Sequence, residues 1–195
     1  MTTGILAIQG DFEKHQQTLE TLNCSTLLVK DKNHLQQCDG LIIPGGESTT
    51  LVNLLKKHGL WQSVHEFGLQ KTIFGTCAGL ILLANRLVHN RLDSLSLIDI
   101  TVERNAYGRQ IDSFIDTVDL QLNHKKLNFE GVFIRAPKIV DVGKEVKVLG
   151  RYQQSPVMVE NEHIMASTFH PEITADSCIH QYFIEKVRKN SHDRS

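Results

Sequence analysis

Short apolar runs alternate with helical stretches through the first half of this sequence, and this alternation restricts the possible folds more than any other feature. The apolar runs cover residues 4–8, 25–29, 40–43 and 72–76. Stretches with apolar residues at helical spacing follow the first, third and fourth runs. They are residues 12–22, a stretch that Ser48 can cap, and residues 80–87. Strands that are apolar on both faces occur in parallel sheets covered by helices. The sequence therefore predicts an α/β fold: a single domain with a three-layer, doubly wound, mostly parallel sheet of the flavodoxin-like type.

The second half of the sequence reads mainly as additional β-strands. Strand-like runs occur at residues 96–102, 114–120, 132–134, 146–149, 157–160 and 163–169. An amphipathic stretch at residues 177–188 predicts a closing helix. We expect one domain over residues 1–189 and a polar C-terminal tail over 190–195.

Composition excludes several classes of protein. The chain has 195 residues and a formal net charge of −1, so neither nucleic acid nor an anionic membrane is an expected partner. Its longest uncharged central stretch, residues 72–85, is shorter than the roughly 20 residues of a membrane span. Four scattered cysteines and an N-terminus without signal-peptide features predict a cytoplasmic protein with reduced thiols.

The sharpest local motif is Gly-Thr-Cys-Ala-Gly at residues 75–79, between an apolar strand and an apolar helix. This is the thiol form of a nucleophile elbow, in which small residues permit a tight strand-to-helix turn. The turn exposes Cys77 at the carboxyl end of the sheet, beside a helix N-terminus that favours a thiolate. A buried structural cysteine in a glycine-rich turn is the alternative for this motif taken alone.

A second motif, Phe-His-Pro-Glu at residues 169–172, ends the last predicted strand. In an extended segment, residues two apart point to the same side, so His170 and Glu172 can face each other. A carboxylate beside an imidazole sets its tautomer and stabilises its cation. Alone, this motif could be a loop with a salt-linked histidine; together with Cys77 it completes a Cys-His-Glu set.

The loop Pro-Gly-Gly-Glu-Ser at residues 44–48 lies between a predicted strand and helix, where backbone N–H groups can stabilise an oxyanion. It lacks the Gly-Lys-Ser/Thr ending of a nucleotide-binding P-loop. We expect Gly46 and Ala78 to donate the two oxyanion hydrogen bonds. Arg104 and Arg135 could each hold a substrate carboxylate, although a structural ion pair is the alternative for either.

Six sequence blocks occur in order along nearly the whole chain. They are LAIQG (6–10), PGGEST (44–49), GTCAG (75–79), ERN with GRQ and DSF (103–105, 108–110, 112–114), FIRAP (133–137) and FHPE (169–172). Together they resemble the glutaminase-subunit family of pyridoxal 5'-phosphate synthases, a branch of the class I glutamine amidotransferases. The elbow and His-x-Glu blocks are general to class I, whereas the ERN/GRQ and FIRAP blocks resemble this branch in particular.

The resemblance implies hydrolysis of L-glutamine to L-glutamate and ammonia, with Cys77 as nucleophile, His170 as general base and then acid, and Glu172 orienting it. The implied glutamine-binding residues are Gly46, Glu47, Ser48, Arg104, Ile134 and Arg135. No cofactor is implied, and the histidines show no metal-binding spacing.

The resemblance also implies a partner. Ammonia would pass to a synthase subunit that makes pyridoxal 5'-phosphate from ribose 5-phosphate and glyceraldehyde 3-phosphate. Twelve glutaminase subunits would surround a dodecameric synthase core. As a hypothesis, residues 6–10 and 103–105 lie near the synthase-facing edge of the site.

Three alternatives stay open on sequence grounds. A cysteine peptidase or γ-glutamyl hydrolase would use the same elbow and histidine. A regulatory partner would use Cys77 as a redox-sensitive thiol. A different amidotransferase pathway is separated from the main interpretation only by the two subfamily blocks.

Overall fold

The computed structural model describes residues 1–88, 92–104 and 113–192, and its elements follow the predicted alternation. The strands are β1 (Thr2–Leu6), β2 (Ser25–Val29), β3 (Gly40–Ile43), β4 (Thr72–Thr76), β5 (Ala84–Leu87), β6 (Ile98–Glu103), β7 (Ser113–Leu122), β8 (Lys125–Ile134), β9 (Lys138–Val142), β10 (Lys147–Tyr152), β11 (Ser155–Glu160) and β12 (Ile164–Ser167). The helices are α1 (Phe12–Thr21), α2 (Lys32–Gln36), α3 (Ser48–Lys57), α4 (Trp61–Gly68), α5 (Ala78–Leu83) and α6 (Cys178–His192).

The main sheet has nine strands in the order β2-β1-β3-β4-β12-β11-β10-β7-β8. Its first five strands are parallel to one another, and the last four continue the sheet in antiparallel fashion. Strands β5, β6 and β9 form a separate three-stranded sheet. The predicted α/β fold with a mostly parallel sheet and extra C-terminal strands is therefore confirmed.

Helices cover both faces of the parallel half of the sheet. In β3, Leu41 and Ile43 belong to a buried cluster with residues of α3, α4 and α5. The residue between them, Ile42, belongs to a second cluster with residues of α1 and α6. Neighbouring strand residues point to opposite faces, so a strand between two apolar cores has to be apolar throughout.

The helix that follows Cys77 is shorter than the sequence predicts. The apolar stretch 80–87 was expected to be one helix, but α5 ends at Leu83 and β5 begins at Ala84. Ala84 and Leu87 pair in parallel with Ile98 and Val102 of β6. An apolar run does not separate helix from strand by its periodicity alone, and here the pairing with a distant strand decides.

The start of α3 also differs from the prediction. Ser48 was expected to be the N-cap, but Glu47 caps the helix, its carboxylate accepting hydrogen bonds from the backbone N–H groups of Thr49 and Thr50 at 3.0 and 2.6 Å. Ser48 is the first helical residue and is buried. The sequence pattern did not predict α2, α4 or β9.

The closing helix is longer than its amphipathic pattern. It extends to His192, three residues into the segment assigned to a polar tail, and the rest of that tail lies outside the described residues. Asn190 donates to Thr72 Oγ1 at 3.0 Å, which ties the last turns to β4. Within the described residues, no helix has the length and apolar character needed to cross a membrane.

Candidate active site

Cys77 occupies a sharp turn between β4 and α5, at the carboxyl edge of the parallel strands. Its φ of 49° and ψ of −100° are rare for a residue with a side chain. The glycines on either side permit this turn: a Cβ on Gly75 would lie 2.7 Å from the carbonyl carbon of Gly79, and a Cβ on Gly79 would overlap the carbonyl oxygen of Ile43. The turn therefore has the geometry that the elbow motif predicts.

His170 reaches the same edge because β12 lies beside β4. The two strands are parallel, so their carboxyl ends lie next to each other. His170 follows β12 by three residues, and its backbone N–H donates to the carbonyl of Val132 in β8 at 2.9 Å. Cys77 and His170, which are far apart in the chain, thereby lie at the same carboxyl edge of the sheet.

Glu172 contacts the side of His170 that faces away from the sulfur. Its Oε1 lies 2.7 Å from His170 Nδ1, and the carboxylate is fully buried. The backbone here forms a short 3-10 turn over Pro171–Ile173, so the predicted extended geometry is wrong although the two side chains do meet. With Nδ1 paired to Glu172, Nε2 is the ring nitrogen left for Cys77.

The surroundings of the His170–Glu172 pair favour its charged form. Burial opposes the charge on His170, but its hydrogen bonds with Cys77 and Glu172 outweigh burial and raise its pKa to about 10. Burial likewise opposes ionisation of Glu172, but His15 and His170 outweigh it and lower the pKa of the carboxyl to about 2. An imidazolium beside the sulfur is the partner that a thiolate nucleophile needs.

Residues 44–48 form a loop against this pair. Gly45 lies so close to it that a Cβ would overlap Cε1 of His170 and lie 3.3 Å from Cβ of Cys77. Gln9 holds the loop on its other side: its Nε2 donates to the Gly45 carbonyl at 3.2 Å, and its Oε1 accepts from the Glu47 N–H at 3.3 Å. Gly46 has a φ of +136°, a backbone conformation that favours glycine.

Arg104 lies beside this loop rather than pointing away from it. Its Nη2 is 3.4 Å from Glu47 Oε1 and 3.4 Å from Thr49 Oγ1. Despite opposing desolvation, the hydrogen bonds that Glu47 accepts at the start of α3 lower its carboxyl pKa to about 2. The arginine is therefore paired with an ionised carboxylate at the mouth of the site.

A cavity of about 290 Å³ opens above the cysteine, near the lower end of the size range of small-molecule sites. Its lining residues are Asp11, Gly46, Glu47, Ser48, Cys77, Ile81, Arg104, Ile134, Arg135 and His170. All six expected glutamine-binding residues are in this set. Glu172 is buried behind His170, and Ala78 is buried at the start of α5.

Sequence reasoning did not identify Asp11 or Ile81 as lining residues, nor the contacts of Gln9. The end of β8 also contributes a backbone group: the Ile134 carbonyl lies 3.8 Å from the Cys77 sulfur. Arg135 follows with a φ of 43° and an exposed side chain. Of the subfamily blocks, Asn105, Gly108, Arg109, Gln110 and Asp112 lie outside the described residues.

Asp11 adds an acidic group at the cavity mouth. One donor atom from each of Asp11, His170 and Glu172 lies within 4.8 Å of the other two, a spacing at which a metal ion could be held. Two of the three are already paired, because Glu172 Oε1 bonds to His170 Nδ1. The hydrogen bond between His170 and Glu172 is therefore that of a histidine oriented by a carboxylate.

The fold is that of a glutamine amidotransferase. A crystal structure titled as a glutamine amidotransferase superposes with a TM-score of 0.89 and 40% identity, covering 95% of this chain and 98% of that one. PurLQS from Thermotoga maritima shares the fold, with a TM-score of 0.69 at 15% identity, covering 99% of this chain and 98% of that one.

The chain belongs to the SNO glutamine amidotransferase family, whose model matches residues 5–189. A curated relative in Thermosipho africanus, named pyridoxal 5'-phosphate synthase subunit PdxT, is 44% identical over 97% of this chain and all of its own length. A relative of the same name in Francisella tularensis subsp. tularensis is 48% identical, covering 93% of this chain and 96% of that protein.

Proposed function

We propose that this chain is the glutaminase subunit of a pyridoxal 5'-phosphate synthase and that it hydrolyses L-glutamine to L-glutamate and ammonia. The observation that carries the proposal is that Cys77 and His170 line one small cavity while Glu172 bonds to the far side of His170. The family and the names of the relatives support the same activity.

The reaction follows from these three side chains. The Cys77 thiolate attacks the side-chain amide carbon of glutamine, and the carbonyl oxygen becomes an oxyanion. The His170 imidazolium gives its Nε2 proton to the amide nitrogen, so that ammonia leaves and a γ-glutamyl thioester forms. Neutral His170 then takes a proton from water, which attacks the thioester and releases glutamate and the thiolate. Glu172 keeps Nδ1 protonated throughout.

The charges at the cavity mouth match a free amino acid. Arg104 and Arg135 can donate hydrogen bonds to the α-carboxylate, while Glu47 and Asp11 can pair with the α-ammonium group. Two cations and two anions around one opening favour a zwitterion over a peptide, which lacks both charges in the middle of its chain. The cavity then directs the side-chain amide toward Cys77.

Backbone N–H groups of Gly46 and Ala78 are the proposed oxyanion donors. Gln9 bonds to the Gly45 carbonyl, and the C=O and N–H of one trans peptide point in opposite directions, so the Gly46 N–H points away from Gln9. We infer that synthase docking acts on this loop through residues 6–10.

The proposed partner is the synthase subunit, which would receive ammonia and make pyridoxal 5'-phosphate from ribose 5-phosphate and glyceraldehyde 3-phosphate. We propose an assembly of twelve glutaminase subunits on a dodecameric core, to be checked by light scattering of the purified complex. The proposed compartment is the cytoplasm, where the four free thiols would stay reduced.

The test is glutamate release from L-glutamine by the purified chain, with and without a pyridoxal 5'-phosphate synthase subunit. We expect the synthase to stimulate release strongly and Cys77→Ala to lower the stimulated rate by about ten thousandfold or more. Cys178→Ala, at a half-buried thiol on α6, is the matched control and should keep the parent rate.

Three outcomes would count against the proposal. Retained activity in Cys77→Ala would exclude it as the nucleophile. No glutamate release in either condition would exclude glutamine as the substrate. Turnover of γ-glutamyl peptides by the isolated chain, without stimulation by the synthase, would favour a γ-glutamyl hydrolase.

A further inference from the structure

Two buried histidines lie behind the catalytic carboxylate, and the glutaminase mechanism does not use them. His15 comes from α1 and His180 from α6, 165 residues apart, and both are fully buried. His15 Nδ1 lies 2.9 Å from His180 Nε2, a hydrogen bond between the two rings. Buried imidazoles are usually hydrogen-bonded, and here each ring is a partner of the other. We therefore asked what the pair does for the neighbouring active site.

The pair is continuous with the active site through Glu172. Oε1 of this carboxylate bonds to His170, and its other oxygen, Oε2, lies 3.4 Å from His15 Nε2. The carboxylate thus lies between two imidazoles, one facing the cavity and one facing the core. A buried carboxylate depends on such partners, because it has lost its hydration.

The contacts favour one placement of the hydrogens. Glu172 Oε2 has no hydrogen-bond partner among the described residues, and its 3.4 Å contact with His15 Nε2 is electrostatic, so it is favourable when that nitrogen carries the hydrogen. Thr76 Oγ1, 3.4 Å from the same nitrogen, then accepts its hydrogen bond. In a neutral His15 the other nitrogen then accepts from His180 Nε2–H, and His180 Nδ1 carries no hydrogen. That atom is buried and has no hydrogen-bond partner among the described residues, and a bare acceptor is easier to bury unpaired than an N–H donor.

Both rings are held neutral by their surroundings. Burial lowers the pKa of His15 and lowers that of His180 to about 3. The charged and titratable groups facing His15 are Glu172, His170, Asp11 and His180; those facing His180 are His15 and Glu172. Phe74 meets both rings edge to face, at 6.5 and 6.3 Å between centroids.

We propose that His15 and His180 are positioning residues for catalysis: a neutral two-histidine relay that holds Glu172 ionised and aims its Oε1 at His170. The proposal rests on the proposed glutaminase function for its catalytic consequence, but the hydrogen positions do not depend on it. Neither histidine lines the cavity, so the relay would act on the chemical step and leave glutamine binding unchanged.

The first test is histidine-ring NMR of the ¹⁵N-labelled full chain between pH 5.5 and 8. We expect His15 to carry its hydrogen on Nε2 and neither His15 nor His180 to titrate. His180→Gln keeps a side-chain N–H where Nε2 lies and should leave the His15 signals almost unchanged, whereas His180→Leu should shift them. A cationic His15 at pH 7, or a hydrogen on its Nδ1, would overturn the relay.

The second test is kinetic, in the complex with the synthase. His15→Leu removes the imidazole that contacts Glu172 Oε2, so we expect kcat to fall by about tenfold or more with an unchanged KM for glutamine. The acidic limb of the pH profile should move to higher pH, because Glu172 loses a group that favours its ionised form. His15→Gln retains a donor and should restore most of the activity; His58→Gln, an exposed histidine after α3, is the control.

The outcomes separate the two proposals. If the parent chain hydrolyses glutamine but His15→Leu keeps the parent kcat and pH profile, the relay is wrong while the glutaminase function stands. If the parent chain does not hydrolyse glutamine, the proposed function fails, and the NMR tautomer alone decides whether the relay exists. The NMR measurement on the parent chain also decides if His15→Leu does not fold.

Discussion

The two halves of the nine-stranded sheet differ in what their edges carry. The carboxyl ends of the parallel strands β3, β4 and β12 lead into the glycine loop, Cys77 and His170. The antiparallel half contributes to the cavity mainly through the end of β8, with Ile134 and Arg135. All ends of parallel strands meet at one edge, whereas antiparallel ends alternate between two, so only the parallel half can gather several loops around one point.

The difference also extends to packing. The central parallel strands β3 and β4 are buried on both faces, so close backbone approaches such as Gly79 to Ile43 are enclosed by rigid surroundings. In the antiparallel half, β7 alternates buried and exposed residues and leaves Ile115 63% exposed. Substitutions at buried positions of the first half should therefore lower stability more than substitutions at exposed positions of the second.

The largest effect is expected at Glu172, which only the parallel half could place behind His170. Glu172→Gln removes the charge that stabilises the imidazolium, and kcat should fall by about a thousandfold or more. Steady-state glutaminase assays with the synthase measure this. Glu162→Gln, at an exposed carboxylate, is the control and should be neutral. A fall of less than tenfold at Glu172 would remove it from the catalytic set.

Gly79→Ala and Gly131→Ala compare the loss of stability at one close-packed glycine in each half. The new methyl group at residue 79 meets the backbone of Ile43, which cannot move aside, and we expect a loss of about 3 kcal/mol in stability. At residue 131 in β8 it meets the buried side chains of Val118 and Phe133 rather than a backbone, and side chains yield more easily than main chain, so about 1 kcal/mol is expected. Urea denaturation measures both. Equal losses would contradict the comparison.

Acid should weaken the parallel half through its buried histidines. The folded-state pKa of His180 is lowered to about 3, so between pH 6.5 and 3 the unfolded chain binds a proton that the folded chain does not. Stability should therefore fall as pH decreases through this window, by up to about 1.4 kcal/mol per pH unit for this group. His180→Leu should flatten that dependence in urea titrations at pH 4–6.5. An unchanged slope would show that the ring is not buried in its neutral form.

Gln9→Leu probes the loop at the edge of the parallel half. The leucine cannot bond to the Gly45 carbonyl or the Glu47 N–H, so the loop loses both contacts. We expect the synthase-stimulated rate to fall by about tenfold, the effect of roughly one hydrogen bond to the site. Gln153→Leu, exposed in the turn after β10, serves as control. Unchanged stimulation would exclude a role of residues 6–10 in coupling to the partner.

The smallest effect is expected at Ile115, on the exposed face of β7. Ile115→Thr keeps a β-branched residue and should change the free energy of unfolding by less than about 0.5 kcal/mol. Glutaminase activity of the free chain should not change. A larger loss of stability would show that the antiparallel half is held as tightly as the parallel one.

The sequence by itself determined the local parts of this protein. Strands β2, β3 and β4 have the bounds of the apolar runs, and the central strand β3 is apolar at every position because it is buried on both faces. The elbow around Cys77 was equally predictable, since the tight turn brings Gly75 against the backbone of Gly79, four residues later. Such a turn depends on residues that are close in the chain, and these are visible in the sequence.

Tertiary structure alone decided the rest. The apolar run after Cys77 breaks into α5 and β5 because β6 offers a pairing edge, and Glu47 caps α3 where a serine was available one residue later. The contact of His15 with His180 joins opposite ends of the chain. Contacts across such separations arise from how the layers stack, and no periodicity or motif in a single sequence records that stacking.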